Sequence, residues 1–195
     1  MTLSAILERH RAADEEEARD LAVLRDFVAR HAADPFDRRI AEGHLTGAAI
    51  VVSASGARVL LLHHRKLQRW LQPGGHGDPG ERTGEEVALR EAREETGLAG
   101  LTLHPAAPRP LDVDVHPIPA RGSEPAHLHL DLRYLVIAPE QASITVQEEE
   151  ASAVQWFGWE ELDALDLYHG LRRALAKARG YFAPWGLGGE AAKRR

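Results

Sequence analysis

Residues 74–97 read GGHGDPGERTGEEVALREAREETG, and the reading of this stretch decides the fold. Thr83 and Glu86 have capping-box spacing, no proline follows them in the stretch, and Gly97 stands where a left-handed residue closes a helix. A helix is therefore expected between Thr83 and Gly97. On it Glu91, Glu94 and Glu95 fall at i, i+3 and i+4, which puts three carboxylates on one face. Like charges at that spacing destabilise a helix unless a cation offsets them, and carboxylate oxygens suit a hard divalent ion. Arg90 reaches Glu94 at i+4 and can hold it in place. Ahead of the helix, Gly74 and Gly75 let the backbone approach a ligand closely or take up dihedrals closed to other residues.

The stretch resembles the Nudix box: Gly, five residues, Glu, seven residues, Arg-Glu, an aliphatic, any residue, Glu-Glu, any residue, Gly, an aliphatic. Gly75, Glu81, Arg90, Glu91, Glu94, Glu95, Gly97 and Leu98 match that pattern. Two departures stand out: eight residues rather than seven separate Glu81 from Arg90, and Ala92 occupies a position where a larger aliphatic is usual. Thr83 still lies seven residues before Arg90, so the helix keeps its register, the extra residue is placed in the loop at Arg82, and the departure bears on Glu81. Taken alone, Arg-Glu-x-x-Glu-Glu would read as a solvated charged face. Seven fixed identities, however, recur by chance with a probability on the order of 10⁻⁸ per start position, which decides against that reading.

The resemblance implies an α+β fold, the Nudix α/β/α sandwich with a mixed sheet, carrying here an N-terminal helical extension. It implies hydrolysis of a diphosphate linkage in a nucleoside diphosphate derivative, a nucleotide or a similar small organic pyrophosphate. It further implies Mg²⁺ or Mn²⁺ held by Glu91, Glu94, Glu95 and the Gly75 carbonyl, with Glu94 or Glu95 nearest the attacking water and Arg90 as orienter. Glu81 becomes an outer contributor. The alternative is a non-catalytic Nudix-like module that binds a nucleotide and regulates another activity. Such modules tend to lose box carboxylates, and this chain keeps them.

At 195 residues, 44% hydrophobic and 28% charged, the chain has the composition of a globular protein with one good core and an appendage. The expected division is an N-terminal helical extension over residues 1–41, a catalytic domain over 42–180 and a tail over 181–195. No apolar run reaches membrane-spanning length, and Glu8 and Arg9 stand where a secretory signal would be hydrophobic, so no membrane partner and a cytoplasmic location are expected. With no cysteine there are no disulfides, thiolate metal sites or thiol nucleophiles. A net charge of −6 gives no general attraction to a nucleic acid polymer, so an anionic small-molecule substrate needs local bases and metal ions.

Near the N-terminus, Asp14 and Glu17 can cap a helix whose Leu21, Leu24, Phe27, Val28 and His31 form one stripe, with Asp34-Pro35 ending it. The stripe can dock on the domain or form a homodimer contact. Strands are expected over residues 45–53 and 58–62, joined by a turn at Ser55-Gly56. The second strand leads to the basic residues Arg65, Lys66 and Arg69, which serve either as solvated surface or as phosphate contacts ahead of Gly74-Gly75. Residues 101–116 read as a strand interrupted by prolines, and 118–126 as a loop. In HLHLDLRY, residues 127–134, Leu128, Leu130, Leu132 and Tyr134 point to one face, while His127, His129, Asp131 and Arg133 point to the other. The leucine face belongs to the core. The polar face is solvent-exposed, lines a substrate cavity, or supplies two imidazoles to a zinc site. Glu148, Glu149 and Glu150 precede a strand over 152–157, and by resemblance one of them could serve as general base or extra metal ligand. A last helix over about 167–179 buries Leu171, Ala174, Leu175 and Ala178. Diadenosine polyphosphates are disfavoured because no tyrosine lies between Gly97 and Tyr134, and coenzyme A derivatives because residues 63–73 do not resemble the family's signature for them.

Overall fold

Strand β1 (Gly43–Ser53) is buried along its whole length. Its second half, AAIVVS, supplies the β-branched residues that favour a strand covered on both faces. The computed structural model describes residues 1–122, 125–140, 143–144 and 151–182, so Glu148, Glu149, Glu150 and residues 183–195 lie outside the described residues. Before β1 come α1 (Leu3–Arg9) and α2 (Glu15–Arg30); after it come β2 (Arg58–His64), β3 (Arg69–Leu71), β4 (Gly74–His76) and α3 (Gly84–Thr96). Then follow β5 (Thr102–Leu103), β6 (Asp112–Ile118), β7 (His127–Ala138), β8 (Ala151–Gly158), a 3₁₀ turn (Glu161–Ala164) and α4 (His169–Phe182).

On one side β1 pairs in parallel with β7 from Gly43↔Leu128 to Ser53↔Ala138. On its other side it is shared. Its N-terminal half pairs with β4, and its C-terminal end pairs with β2, both antiparallel. β7 is shared in the same way between β6 and β5, and β8 adds to β2. The result is a mixed, curled sheet, the α+β architecture expected from sequence. The expected strand over 101–116 is broken into β5 and β6 because Pro105, Pro108 and Pro110 cannot donate to a ladder.

Side chains alternate about the sheet into two cores. One joins Leu45, Val51, Leu130, Leu132 and Val136 to Val87, Ala88 and Ala92 of α3 and to Leu21, Leu24, Phe27 and Val28 of α2. The N-terminal stripe therefore docks on the domain. The other joins Ile50, Val52, Leu61 and Leu135 to Leu171, Ala174, Leu175 and Ala178 of α4. Leu135 lies on the same face of β7 as His129, Asp131 and Arg133. That face is covered at Asp131 and Arg133, 6% and 0% exposed, which overturns the solvent-exposed reading of the polar row there, while His127 and His129 are half-buried. No helix among the described residues is long and apolar enough to cross a membrane.

Buried charge locks the two layers together. Glu17, fully buried on α2, accepts from the His10 ring at 2.8 Å, from the Ala13 N–H at 2.6 Å and from the Val113 N–H at 3.3 Å, and Lys177 of α4 donates to the same carboxylate. Burial alone would raise its pKa, but these hydrogen bonds and the Lys177 charge hold it well below the usual carboxylate range. Asp112, equally buried, takes Arg133 at 3.0 Å, Arg173 at 2.8 Å and Lys177 at 2.9 Å. Breaking one member of such a network leaves uncompensated buried charge. Glu17→Gln is expected to lower unfolding stability at neutral pH by about 3–5 kcal/mol. A group whose pKa is depressed on folding stabilises above its unfolded pKa, about 4.5, and loses that contribution as pH falls through the folded value. Denaturant unfolding should therefore show the gap between wild type and variant narrowing below about pH 4.

Candidate active site

Helix α3 begins with a complete capping box. The Glu86 N–H donates to Thr83 Oγ1 at 3.2 Å, and the Thr83 N–H donates to the Glu86 carboxylate at 3.1 Å. Gly97, at φ 68°, closes the helix in the left-handed conformation. The helix lies close against β1 because Gly47 has no side chain: a Cβ there would stand 2.5 Å from the Gly84 carbonyl oxygen and 2.7 Å from Val87 Cβ. Ala92 is fully buried in the same core, so the position that departs from the family pattern serves packing.

Arg90 organises the carboxylates. Its guanidinium donates to both oxygens of Glu81, at 3.0 and 3.1 Å, to Glu94 at 2.8 Å and to the His76 carbonyl at 2.6 Å, and it stands 3.1 Å from Glu91. The Glu81 pairing is bidentate despite the extra residue. Arg82 lies in the loop ahead of the Thr83 cap, where its N–H donates to Glu86 at 2.8 Å. Glu95 turns the other way and accepts from the Gly74 N–H at 2.9 Å. A Cβ on Gly75 would stand 2.5 Å from Glu91 Oε1, so backbone and carboxylate occupy adjoining space there.

A cavity of about 790 Å³ opens beside this arrangement. Gly74, Gly75, Glu91 and Glu95 form one wall, Lys66 and Arg69 a second, and His76, His129, Asp131, Asp114, His116 and Tyr168 a third. Of the residues singled out in the sequence, Arg65 is exposed and away from this lining, and Glu94 is half-exposed on Arg90. His127 lines a neighbouring groove with Pro117 and Leu128. Among the described residues, the side chains whose ligand atoms converge within 4.8 Å are His44, His127 and His129; Asp114, His116 and Asp131; and Glu16, Asp20 and Asp114. The box carboxylates are not among these groups, because Arg90 and the Gly74 N–H draw Glu94 and Glu95 apart.

The third wall combines neutral imidazoles with charged pairs. Burial, then the charges of Arg38 and neighbouring histidines, pushes His76 down to about 4. Burial, then the surrounding histidines, pushes His129 down to about 2. Their Nε2 atoms lie 3.0 Å apart, so one ring donates to the other. Burial would also lower His116, but its 3.2 Å contact with Asp114 and the charges of Asp131 and Asp114 outweigh burial and raise it. Arg133, fully buried, pairs with Asp114 at 2.8 Å and donates to the Tyr168 hydroxyl at 2.8 Å, which donates in turn to Gln72 at 3.2 Å. Sequence reasoning missed Asp114, His116, Tyr168, His44 and His76. The alternation of Asp112, Asp114 and His116 along β6 was the available signal for the first two.

Fold and box helix together define a Nudix-type domain. The family model described as the NUDIX domain matches residues 43–178, and the chain belongs to that family. Over 51 residues the chain is 43% identical to a Bacillus subtilis (strain 168) protein described as "Putative 8-oxo-dGTP diphosphatase". That match spans 26% of this chain and 34% of the relative, about a third of its length. A crystal structure of MutT NUDIX hydrolase from Burkholderia pseudomallei superposes with a TM-score of 0.51 at 28% identity, covering 70% of this chain and 98% of that one. A C. elegans Ap4A hydrolase binary complex gives 0.56 at 21% identity over 71% of this chain and 97% of that one, a likeness of fold.

Two outcomes follow from this geometry. The Cβ of Gly75→Ala meets the movable end of Glu91, so stability should change by less than about 1 kcal/mol while phosphate-release activity falls by about 10²-fold, on the scale of one misplaced stabilising group. Equal losses of melting temperature and activity would contradict it. Deleting Arg82 should leave helix content unchanged by circular dichroism, whereas Thr83→Ala should cost about 1 kcal/mol through loss of the cap.

Proposed function

We propose that this protein hydrolyses the diphosphate linkage of a nucleotide or nucleoside diphosphate derivative with the help of Mg²⁺ or Mn²⁺. The observation that carries the reading is the seating of Glu91 and Glu95 on the cavity wall beside Gly74 and Gly75. The donor set fits the ion: the groups facing the cavity here are carboxylates and backbone, the hard oxygen ligands that Mg²⁺ takes. On this reading Glu91, Glu94, Glu95 and the Gly75 carbonyl hold the metal. Bound there, it supplies charge neutralisation for the diphosphate and a more acidic water.

The chain's own residues do the rest. Arg90 fixes Glu81 and Glu94, and the Gly74 N–H fixes Glu95, so each carboxylate has little conformational freedom left to lose, and a bound ion would draw Glu94 and Glu95 in from these partners. Lys66 of the β2–β3 connection and Arg69 at the start of β3 bring positive charge to the cavity and oppose the phosphate charge. His129 and Asp131 offer neutral and anionic hydrogen-bonding groups to a base or sugar. The Bacillus subtilis relative named for 8-oxo-dGTP supports a nucleotide-derived substrate. The catalytic unit on this reading is residues 42–180, with residues 1–41 as an extension that shares its core.

The test is phosphate release from a panel of nucleoside triphosphates, sugar nucleotides, dinucleoside polyphosphates and dinucleotides. Turnover should require Mg²⁺ or Mn²⁺ and fall about 10²-fold or more in Glu94→Gln and Glu95→Gln, with unchanged circular dichroism. Full activity in excess chelator, or near-normal activity in both variants, overturns the reading. Nucleotide binding without turnover would mark a regulatory module instead.

A further inference from the structure

Eleven histidines are spread along the chain, and five of them meet in one place. The register of the sheet brings them there. His44 of β1 stands directly beside His129 of β7, His116 of β6 stands beside His129 on its other side, and His76 of β4 pairs with Thr46, two residues along β1 on the same face. His127 lies two residues before His129 on the same face. Ring centroids of His44 lie 5.0 Å from those of His76, His127 and His129, and His76 and His129 are 4.7 Å apart. Four strands contribute to this cluster, and none of its members is one of the residues that match the family pattern, although His76 lies between Gly75 and Glu81.

We propose that His44, His127 and His129, closed by His76, form a binding site for a Zn²⁺-class transition-metal ion, separate from the carboxylate site of the box helix. Ligand nitrogens of His44, His127 and His129 lie within 4.8 Å of one another, and the His76 and His129 Nε2 atoms are 3.0 Å apart. Zn–N bonds of about 2.0–2.1 Å place tetrahedral nitrogens about 3.3 Å from each other, so ring rotations would close the group of three, and His76, outside that group, would join it from its contact with His129. His127 already has the outer-shell arrangement of a metal-bound imidazole. Its Nδ1 is 3.0 Å from the Pro125 carbonyl, which can only accept, so Nδ1 carries the proton and Nε2 presents the lone pair.

The chemistry of the set selects the ion. Four imidazoles with no carboxylate among them suit Zn²⁺, Cu²⁺ or Ni²⁺ and suit Mg²⁺ poorly, while the box carboxylates have the opposite preference. The two sites therefore sort two kinds of metal within one protein. His76 and His129 also line the cavity that Lys66 and Arg69 line, so the bound ion would add a fixed positive charge to it.

Cobalt(II) titration of the purified full chain, in a large excess of Mg²⁺, tests this without reference to turnover. One equivalent of Co²⁺ should bind with the intense visible absorption of a tetrahedral nitrogen site, Zn²⁺ should displace it, and Zn²⁺ should raise the melting temperature. His44→Gln and His127→Gln should each weaken Co²⁺ binding about 10²-fold or more, and Glu91→Gln should leave the spectrum intact. His44 is buried and its replacement can unfold the chain, so His127→Gln, in a half-buried ring, decides if it does. Absence of the absorption in folded wild type, a spectrum unchanged in His127→Gln, or its loss in Glu91→Gln overturns the proposal.

Discussion

The parallel pairing of β1 with β7 is the constraint on which the other features depend. It runs over 11 residues without a bulge, so every side chain of one strand has a fixed neighbour on the other. Through it Thr46 meets Asp131 and donates to its carboxylate, His44 meets His129, and Ala48 leaves room beside Arg133. A one-residue slip would turn each of these to the opposite face, against the leucines. Both strands also change character halfway. Their polar residues sit toward the N-terminal ends, and the same face continues as Ile50, Val52, Leu135 and Ile137 under α4. The cavity thus occupies one end of a face whose other end is sealed core, and the division is written into the strand pair itself.

Most of the architecture was legible in the sequence for simple reasons. Helix α3 announces itself through Thr83, Glu86 and Gly97, and all three perform the local tasks their types suggest. The stripe of α2 and the alternation of β7 were likewise readable, because periodicity reports which residues share a face. Periodicity does not report what covers a face. The row from His127 to Arg133 therefore stayed open between water and cavity until Arg133 was seen enclosed beside α4 and His129 and Asp131 on the cavity. Its partners come from β1, β4 and β6, up to 85 residues away in the case of Thr46 and Asp131, and no local pattern carries that information. The site as a whole was legible at the box, where neighbours in space are neighbours on one helix, and illegible on the wall assembled by strand register.

Buried charge illustrates the same limit in energetic terms. Arg133, placed by the sequence on a polar face, is fully enclosed among Asp112, Asp114, Asp131 and Tyr168. Helix α4 comes close enough for this because of Gly170, where a Cβ would stand 2.2 Å from Asp114 Oδ1. Such a network is weak evidence for stability, since well-packed apolar residues often do as well, but it leaves few acceptable alternative packings. Its value here is positional. Arg133 holds Asp114 and the Tyr168 hydroxyl at the cavity edge, and Arg173 and Lys177 carry the same lattice to Asp112 and Glu17. Wall and scaffold are parts of one set of ion pairs.

The extra residue between Glu81 and Arg90 shows which quantity the box conserves. Spacing along the chain changes, yet the Glu81 carboxylate still meets Arg90 with both oxygens. The loop takes up the difference. Asp78 and Glu81 form a turn in which the Glu81 N–H donates to the Asp78 carbonyl and the Asp78 N–H donates back to the Glu81 side chain. Gly80 allows that turn at φ 104°, with open space where a side chain would be. One more residue in an exposed loop adds only a few tenths of a kcal/mol of closure entropy, much less than a bidentate charge-assisted pair contributes. The carboxylate position is therefore held by the arginine, and the arginine is held by a helix whose register starts at Thr83. Anything between Gly77 and Thr83 is free to lengthen so long as it returns an acid to that guanidinium.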